Sequence, residues 1–306
     1  MLDITVQTEN GEKHVRPSEE DLTGLVRRIG AEGDRFLVLQ RTPDLPDVFA
    51  QVWHADGEHF QLEHRAGAPE RHFEARLDTT ERVAEVLAAW ARGAAGRDAG
   101  VSWTNMGFPP APAVPELPAV IRREIEGRVR SMLLCGYDDR ARLTRAAQED
   151  VFSPDEHPVS REQAAALVDR LWRERVEETA GWEGTTDPER ITAAFAALDA
   201  SGILAREHFT CCRTCGTTEI GAEDGADRAR GFVFFHTQCT ESAAAGGPLH
   251  LLYGRFDDSA ETATAAAVGE EVAAALRGQG LSVRWDGDPG QAILVTGLDW
   301  RRRLIG

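Results

Sequence analysis

The sequence predicts an α+β protein in which a small α+β N-terminal domain (1–107) is joined by a proline-rich linker (108–118) to a larger α+β domain (119–306). Three observations support this class. The first 107 residues mix alternating strand patterns with two amphipathic helices, the linker is dense in proline, and the C-terminal part places helices (119–200) before a sheet-rich region (201–306). Helices followed by strands are typical of α+β proteins. With 306 residues the chain is long enough for two domains.

The N-terminal domain is predicted to begin with a hairpin and a capped helix. Apolar and polar residues alternate over 2–8, and Asn10-Gly11 follows as a hairpin turn. Ser18 to Asp21 resembles a capping box, which predicts the start of a helix. The remaining predicted elements are strands near 35–40, 48–54, 59–65 and 72–77 and a second helix from Thr80 onward.

The linker is recognised by its prolines. Such a dense run cannot form a helix or a central strand and favours extended, semi-rigid backbone, so we place the domain boundary here. The five prolines are Pro109, Pro110, Pro112, Pro115 and Pro118.

The C-terminal domain is predicted to open with helices and to continue as a mainly antiparallel sheet with a covering helix. Helix caps at Ser160 and Asp187, the latter followed by Pro188, support the helical part. The predicted helices are 119–134, 139–150, 160–178 and 187–200. The predicted strands are 203–209, 231–236, 248–255, 281–285 and 291–297, and the covering helix is 260–277.

The chain is strongly acidic, with a net charge of −17. The acidity is spread over both halves, with 19 acidic against 12 basic residues up to Gly107 and 32 against 22 beyond it. Nucleic-acid binding depends on Lys and Arg side chains that neutralise phosphates, and the sequence has no basic tract of that kind. We therefore expect no nucleic acid and no membrane as partner, whereas an acidic surface favours a basic protein partner.

Several features predict a cytoplasmic protein. The N-terminus lacks the basic and apolar segments of a signal peptide, and no stretch approaches 18 uncharged apolar residues. The five cysteines are odd in number and three of them fall within 211–215, which indicates metal or redox chemistry and not a secreted disulfide framework. Lys13 is the only lysine and alanine is abundant, a bias typical of a GC-rich bacterial genome.

The strongest candidate for a chemical site is a cysteine/histidine cluster. Cys212 and Cys215 form one pair of soft ligands, and His236 and Cys239 form a second pair with the same spacing. Two such pairs are what tetrahedral zinc requires, so we predict a zinc site of the structural kind, with its shell closed by protein. Cys211 is an alternative to Cys212 as ligand, and His208 and His250 are reserve ligands. Gly216 is expected to adopt the positive φ of a zinc knuckle.

Two other interpretations of this cluster remain open. Cysteine is among the most buried residue types, so the thiols and His236 could simply belong to the core. Alternatively, Cys212-x-x-Cys215 could cycle as a dithiol. Thioredoxin-like chemistry places that motif at a helix N-terminus, where the dipole lowers the thiol pKa. Residues 213–216 are predicted to form a loop between strands, which favours zinc over redox chemistry.

The C-terminal half resembles a bacterial family that carries a domain of unknown function. The resemblance covers about 190 residues, from about Leu117 to the C-terminus, and implies no activity. It rests on segments 187–190, 194–198, 202–206, 209–216, 219–220 and 234–236, of which Cys211-Cys212-x-x-Cys215-Gly216 is the most specific. The N-terminal domain resembles small proteins of bacterial toxin–immunity loci, through strand 60–65 and Val101-Ser102-Trp103.

The remaining polar clusters are expected to have structural roles. His54, His59, Glu63, His64 and His72 are interpreted as solvated positions on a half-buried sheet and not as a metal site. The paired carboxylates Asp138-Asp139 and Asp257-Asp258 are interpreted as helix caps.

The sequence lacks a complete catalytic signature, so we expect a non-catalytic binding or accessory protein, of the immunity type, whose C-terminal domain is stabilised by zinc or buried thiols. The alternative is an enzyme, either a thiol redox protein or a metal-dependent hydrolase, that uses the cluster at 211–239.

Overall fold

The computed structural model describes residues 1–93, 100–149, 159–256 and 264–304. In this part of the chain the predicted α+β class is confirmed. A sheet-rich N-terminal region comes first, four helices follow, and a second sheet with its own helices comes last. No helix among these residues is both long and apolar enough to cross a membrane.

The N-terminal region is an antiparallel sheet that is covered by two helices. Its strand order is β2-β1-β3-β4-β5-β6-β7, and every neighbouring pair is antiparallel. The strands are β1 (Ile4–Thr8), β2 (Lys13–Val15), β3 (Phe36–Arg41), β4 (Val48–Trp53), β5 (Phe60–Ala66), β6 (His72–Leu77) and β7 (Thr104–Asn105), and the helices are α1 (Glu19–Arg28) and α2 (Thr80–Ala91).

The alternation in the strands determines which face of this sheet is covered. Ile4 and Val6 are completely buried, and they pack in one core with Leu22 of α1 and Val83 of α2. The predicted capping box at the start of α1 is confirmed, because the Ser18 hydroxyl accepts from the Asp21 backbone N–H at 3.0 Å.

Four helices follow the proline-rich segment, in which residues 108–118 form neither helix nor strand. Apolar residues at helical spacing, such as Ile125, Val129 and Leu133, face a core shared with Leu143 and Trp172. The predicted domain boundary itself stays a prediction. The helices are α3 (Ala119–Cys135), α4 (Arg140–Glu149), α5 (Arg161–Ala180) and α6 (Asp187–Ala200).

The C-terminal sheet has the strand order β11-β12-β10-β9-β8. It is mainly antiparallel, as predicted, but β8 and β9 run parallel. The predicted covering helix is present as α9. The strands are β8 (Ile203–Arg206), β9 (Gly231–Phe234), β10 (Leu249–Arg255), β11 (Ser282–Arg284) and β12 (Ile293–Thr296), and the helices are α7 (Arg213–Glu219), α8 (Thr237–Ala244) and α9 (Ala265–Gly278).

Two short helices were not predicted, and both lie in the candidate site. Residues 213–216, predicted as a loop between strands, form the first half of α7, and α8 follows directly after His236. Both escape the sequence patterns because they are 7 and 8 residues long, too short to show an apolar stripe over several turns. The Asp257-Asp258 pair lies outside the described residues.

The N-terminal sheet contacts the helices through the loop after β3. The Arg140 guanidinium binds the Asp44 carboxylate, with N···O distances of 2.6 and 2.9 Å, and the Asp169 carboxylate at 2.7 Å. The Trp172 indole N–H donates to the Asp44 carbonyl oxygen at 2.6 Å. These contacts fix residues 44, 140 and 172 relative to one another.

Candidate thiol site

The candidate site lies at the carboxyl ends of the two parallel strands β8 and β9, each of which is followed by a helix. Strand pairing continues beyond both strands, because the Phe209 N–H donates to the Phe235 carbonyl at 2.8 Å and the Thr237 N–H donates to the Thr210 carbonyl at 3.1 Å. The N-termini of α7 and α8 are therefore held next to each other. Parallel strand ends of this kind are a common location for functional sites.

Three cysteines come together at the start of α7. Cys212 is the N-cap residue of the helix and Cys215 lies in its first turn. The Cys211 and Cys215 sulfur atoms are 3.5 Å apart, and the three Sγ atoms all lie within 4.8 Å of one another. Cys211 is exposed, whereas Cys212 and Cys215 are half-buried. This group could hold a metal ion, and solvent can reach it.

The three thiols do not have the same acidity. The backbone N–H of Cys215, followed by the side chains of Cys215 and Cys211 and the backbone N–H of Thr214, lowers the pKa of the Cys212 thiol. In the opposite direction, hydrogen bonding to Cys211 and Cys212 raises the pKa of Cys215 to about 11. Cys212 is thus the thiol that ionises first, and Cys215 keeps its proton.

Gly216 explains why α7 can pack at this position. A Cβ atom at Gly216 would lie 2.3 Å from Cε2 of Phe234, which is completely buried in β9. The expected positive φ of a zinc knuckle is wrong for this residue, because Gly216 lies within α7 and is not among the glycines with positive φ. Because Gly216 has no side chain, α7 can approach β9 closely at this residue.

The backbone that leads into the site is unusual. His208 and Thr210 have φ angles of 49° and 59°, a region that non-glycine residues seldom adopt and that is found repeatedly at functional sites. His208 was predicted as a reserve ligand. Its Nδ1 atom lies 2.8 Å from the Thr240 hydroxyl, and burial lowers its pKa to about 4. The histidine is therefore neutral at pH 7.

A half-buried polar cluster supports this backbone from the other side. The Tyr137 ring stacks on His208 with 4.6 Å between centroids, and its hydroxyl donates to Glu207 at 2.5 Å. The Arg302 guanidinium lies 3.7 Å from the centre of the Tyr137 ring and 3.2 Å from the Glu207 carboxylate. The sequence did not point to these residues, because they come from the segments that follow α3 and β8 and from the C-terminal tail.

His236 and Cys239 form a separate pair at the N-terminus of α8. The Cys239 sulfur lies 3.3 Å from the His236 Nε2 atom, and both side chains are buried. Burial raises the pKa of Cys239 and lowers that of His236, which is lowered further by His250 and Arg213. In the described part of the chain, the group of potential metal ligands contains Cys211, Cys212 and Cys215 but neither member of this pair. The zinc site with Cys212, Cys215, His236 and Cys239 stays a prediction.

The histidines of the N-terminal sheet differ from expectation. His64 and His72, predicted as solvated positions, are only 7% and 5% exposed. The ring of His72 packs against Phe49 and Phe108, and its Nε2 atom lies 2.9 Å from the Glu63 carboxylate. Alternation along one strand could not reveal the aromatic side chains that cover these positions.

Among the carboxylate pairs, Asp139 caps α4 as predicted, because its Oδ1 atom accepts from the Arg142 N–H at 2.7 Å.

Fold and site together define an α+β protein with a cluster of thiols at the ends of two parallel strands. A family model for a domain of unknown function, DUF6891, matches residues 118–304. The match covers more than half of the chain, and the chain therefore belongs to this family. The predicted resemblance of the C-terminal half is confirmed, whereas that of the N-terminal domain to toxin–immunity proteins stays a prediction. No curated protein and no solved structure matches the chain.

Proposed function

We propose that the protein is a thiol–disulfide redox protein in which Cys212 is the nucleophile and Cys215 the resolving thiol. The observation that carries this proposal is the grouping of three solvent-accessible thiols at the N-terminus of α7. The sequence favoured zinc over redox chemistry because a loop was predicted at 213–216, and the structure has a helix there. The objection to redox chemistry is thereby removed.

The difference in acidity between the two thiols suits this function. A thiolate is the attacking species in disulfide exchange, so a thiol of lowered pKa such as Cys212 reacts first near neutral pH. Cys215 has its pKa raised to about 11 while the neighbouring thiols are present. It keeps its proton until the Cys212 charge has been consumed in a mixed disulfide.

The reaction then proceeds in two balanced steps. The Cys212 thiolate attacks one sulfur of a substrate disulfide, forms a mixed disulfide and releases the other sulfur as a thiolate, which takes up a proton from water. Cys215 loses its proton and attacks the Cys212 sulfur, and the second substrate sulfur leaves as a thiol. Two electrons pass from the dithiol to the substrate, and the chain is left with a Cys212–Cys215 disulfide.

A trapping experiment tests the assignment of the two cysteines. The reduced Cys215→Ser variant is treated with oxidised glutathione and mapped by peptide mass spectrometry. We expect a stable glutathione adduct on Cys212, because Cys215, the thiol assigned to resolve it, is absent. The wild-type chain should instead lose two hydrogens and form the internal disulfide.

The buried Cys135 provides the control, since Cys135→Ser should behave like wild type. An adduct on Cys211 with none on Cys212 would contradict the assignment. A wild-type chain that forms no internal disulfide would contradict the proposal as a whole.

Metal binding at the same place is a second candidate function, which the mutual distance of the three sulfur atoms supports. Three thiolates are a donor set that zinc accepts, and they leave one coordination position to another ligand. Metal analysis by plasma mass spectrometry on untagged protein, with a parallel thiol titration, tests it. About one zinc per chain, with thiols that react only after chelation, would support a zinc site. Metal-free protein with freely reactive thiols would exclude it.

The expectation of a non-catalytic immunity-type protein with a basic protein partner rests on the charge of −17 and on the resemblance of the N-terminal domain. It stays a prediction. Co-purification with a basic partner from cells that make this chain, unaffected by Cys212→Ser, would support it over the redox proposal.

A further inference from the structure

A cleft lies between the N-terminal sheet and helices α4 and α5. Its volume is about 640 Å³, which lies within the range of small-molecule sites, and such sites often form where two structural units meet. Lys13 of β2 lines one wall, and Arg140, Arg145 and Arg161 line the other. This cleft is separate from the thiol site.

Three of these four cations lack an ion-pair partner among the described residues. Lys13, Arg145 and Arg161 are exposed and form no ion pair with the residues that the structure describes. Three carboxylates also line the cleft: Asp44 and Asp169 both bind Arg140, and Asp139 caps α4. In a chain with 51 acidic and 34 basic residues, a cavity lined by four basic and three acidic residues runs against the overall charge.

Two helix N-termini add to the positive potential. Arg140 is the first residue of α4 and Arg161 the first residue of α5. The N-terminal end of a helix dipole is positive, so a cation at this position is unfavourable unless an anion lies near it. Arg140 has two carboxylates to compensate it. Arg161 forms no ion pair with the described residues. Its charge interacts with the neighbouring Glu162, and a bound anion would add a second negative group.

The walls of the cleft are held in place before any ligand binds. The Arg140 guanidinium binds the carboxylates of both Asp44 and Asp169, and the Trp172 indole N–H donates to the Asp44 carbonyl oxygen at 2.6 Å. Eight residues of α5, or about 12 Å along a helix, separate Asp169 from Arg161. The cations are thus distributed along a groove that matches an extended ligand better than a single small ion.

We propose that this cleft binds a small polyanion that carries at least three negative charges. Phosphate and carboxylate groups share the chemistry that Arg and Lys recognise, and the experiment separates them by using one probe of each kind. The proposal is independent of the redox function.

Isothermal titration calorimetry with inorganic tripolyphosphate and with citrate tests the proposal. At low ionic strength we expect at least one of the two probes to bind, and binding should weaken as salt is added because exposed charges are screened. Arg145→Ala combined with Arg161→Ala should weaken binding by roughly tenfold or more. The probe that binds identifies the chemical class.

The matched control removes two exposed arginines that do not line the cleft, through Arg277→Ala combined with Arg284→Ala. It should leave the affinity within about twofold of wild type, since exposed charges outside the cleft are screened by salt. Circular dichroism of both double variants checks that they are folded. The proposal is overturned if neither probe binds the wild-type chain, or if both double variants weaken binding equally.

Discussion

At the residue scale, the thiols show what cysteine spacing can and cannot predict. The separation of Cys212 and Cys215 was sufficient to predict that they lie together, because it spans about one turn of backbone. It could not predict that Cys211 joins them or that Cys239 does not. The backbone that leads to Cys211 has positive φ at His208 and Thr210, which no sequence pattern indicates.

His208 leads to a prediction about pH and stability. Its pKa is lowered by burial to about 4, while the unfolded chain binds a proton near the ordinary value of about 6.5. Between these values the unfolded state binds more protons, so the folded state loses stability as the pH falls from about 6.5 to about 4. The loss from this histidine is at most about 3 kcal/mol, and above pH 6.5 it has no effect.

The variant His208→Gln tests this dependence. Its free energy of unfolding in urea should fall less between pH 7 and pH 4.5 than that of wild type, because the titrating group is gone. The exposed His59, changed to Gln, is the control and should leave the wild-type dependence intact. If the pH dependence of stability is unchanged in His208→Gln, the burial of this histidine does not contribute to that dependence.

At the scale of elements, the long helices and strands were predictable and the short ones were not. Helix α6 begins and ends at 187 and 200 as predicted, since a proline marks its start and Gly202 follows its end. Helices α7 and α8 lack such signals, and tertiary packing determines them. The close contact between Gly216 and Phe234 is the particular interaction that the sequence did not reveal.

The contact between α7 and β9 should tolerate no side chain at Gly216. Gly216→Ala places a methyl group within 2.3 Å of the Phe234 ring, and we expect it to reduce the free energy of unfolding by about 1 to 3 kcal/mol. Because α7 must move, the Cys212 thiol should also react more slowly with iodoacetamide at pH 7.

Gly221→Ala is the matched control, since nothing lies within 4 Å of a Cβ atom there. Urea denaturation of the two variants makes the comparison. Equal stabilities would mean that α7 does not pack closely on the strand.

At the scale of the whole molecule, the hydrophobic patterns and the proline-rich segment predicted the fold class and the order of the regions. It did not predict the cleft, because Lys13 and Arg161 lie far apart in the chain and only the fold brings them to one cavity. The overall charge of −17 pointed to a basic partner, whereas the cleft gathers cations. Net charge is a sum over the whole chain, so it does not reveal a local group of residues with the opposite charge.

The contact between the N-terminal sheet and the helices depends on Arg140. Removing this side chain leaves Asp44 and Asp169 without their partner. We expect Arg140→Ala to lower the free energy of unfolding by about 2 kcal/mol, as the loss of hydrogen bonds between charged groups does. The exposed Arg173→Ala on α5 should have little effect. Urea denaturation measures both, and equal stabilities would contradict the bridging role of Arg140.

The central claim is that α7 makes Cys212 the reactive thiol of the chain. The most direct test is the alkylation rate of each cysteine by iodoacetamide as a function of pH, read by quantitative peptide mass spectrometry on reduced, metal-free protein. We predict that Cys212 reacts fastest of the three and reaches half its maximal rate at a lower pH than Cys215, because the pKa of Cys212 is lowered and that of Cys215 is raised. Equal rates and equal pH profiles at the three positions would contradict the claim.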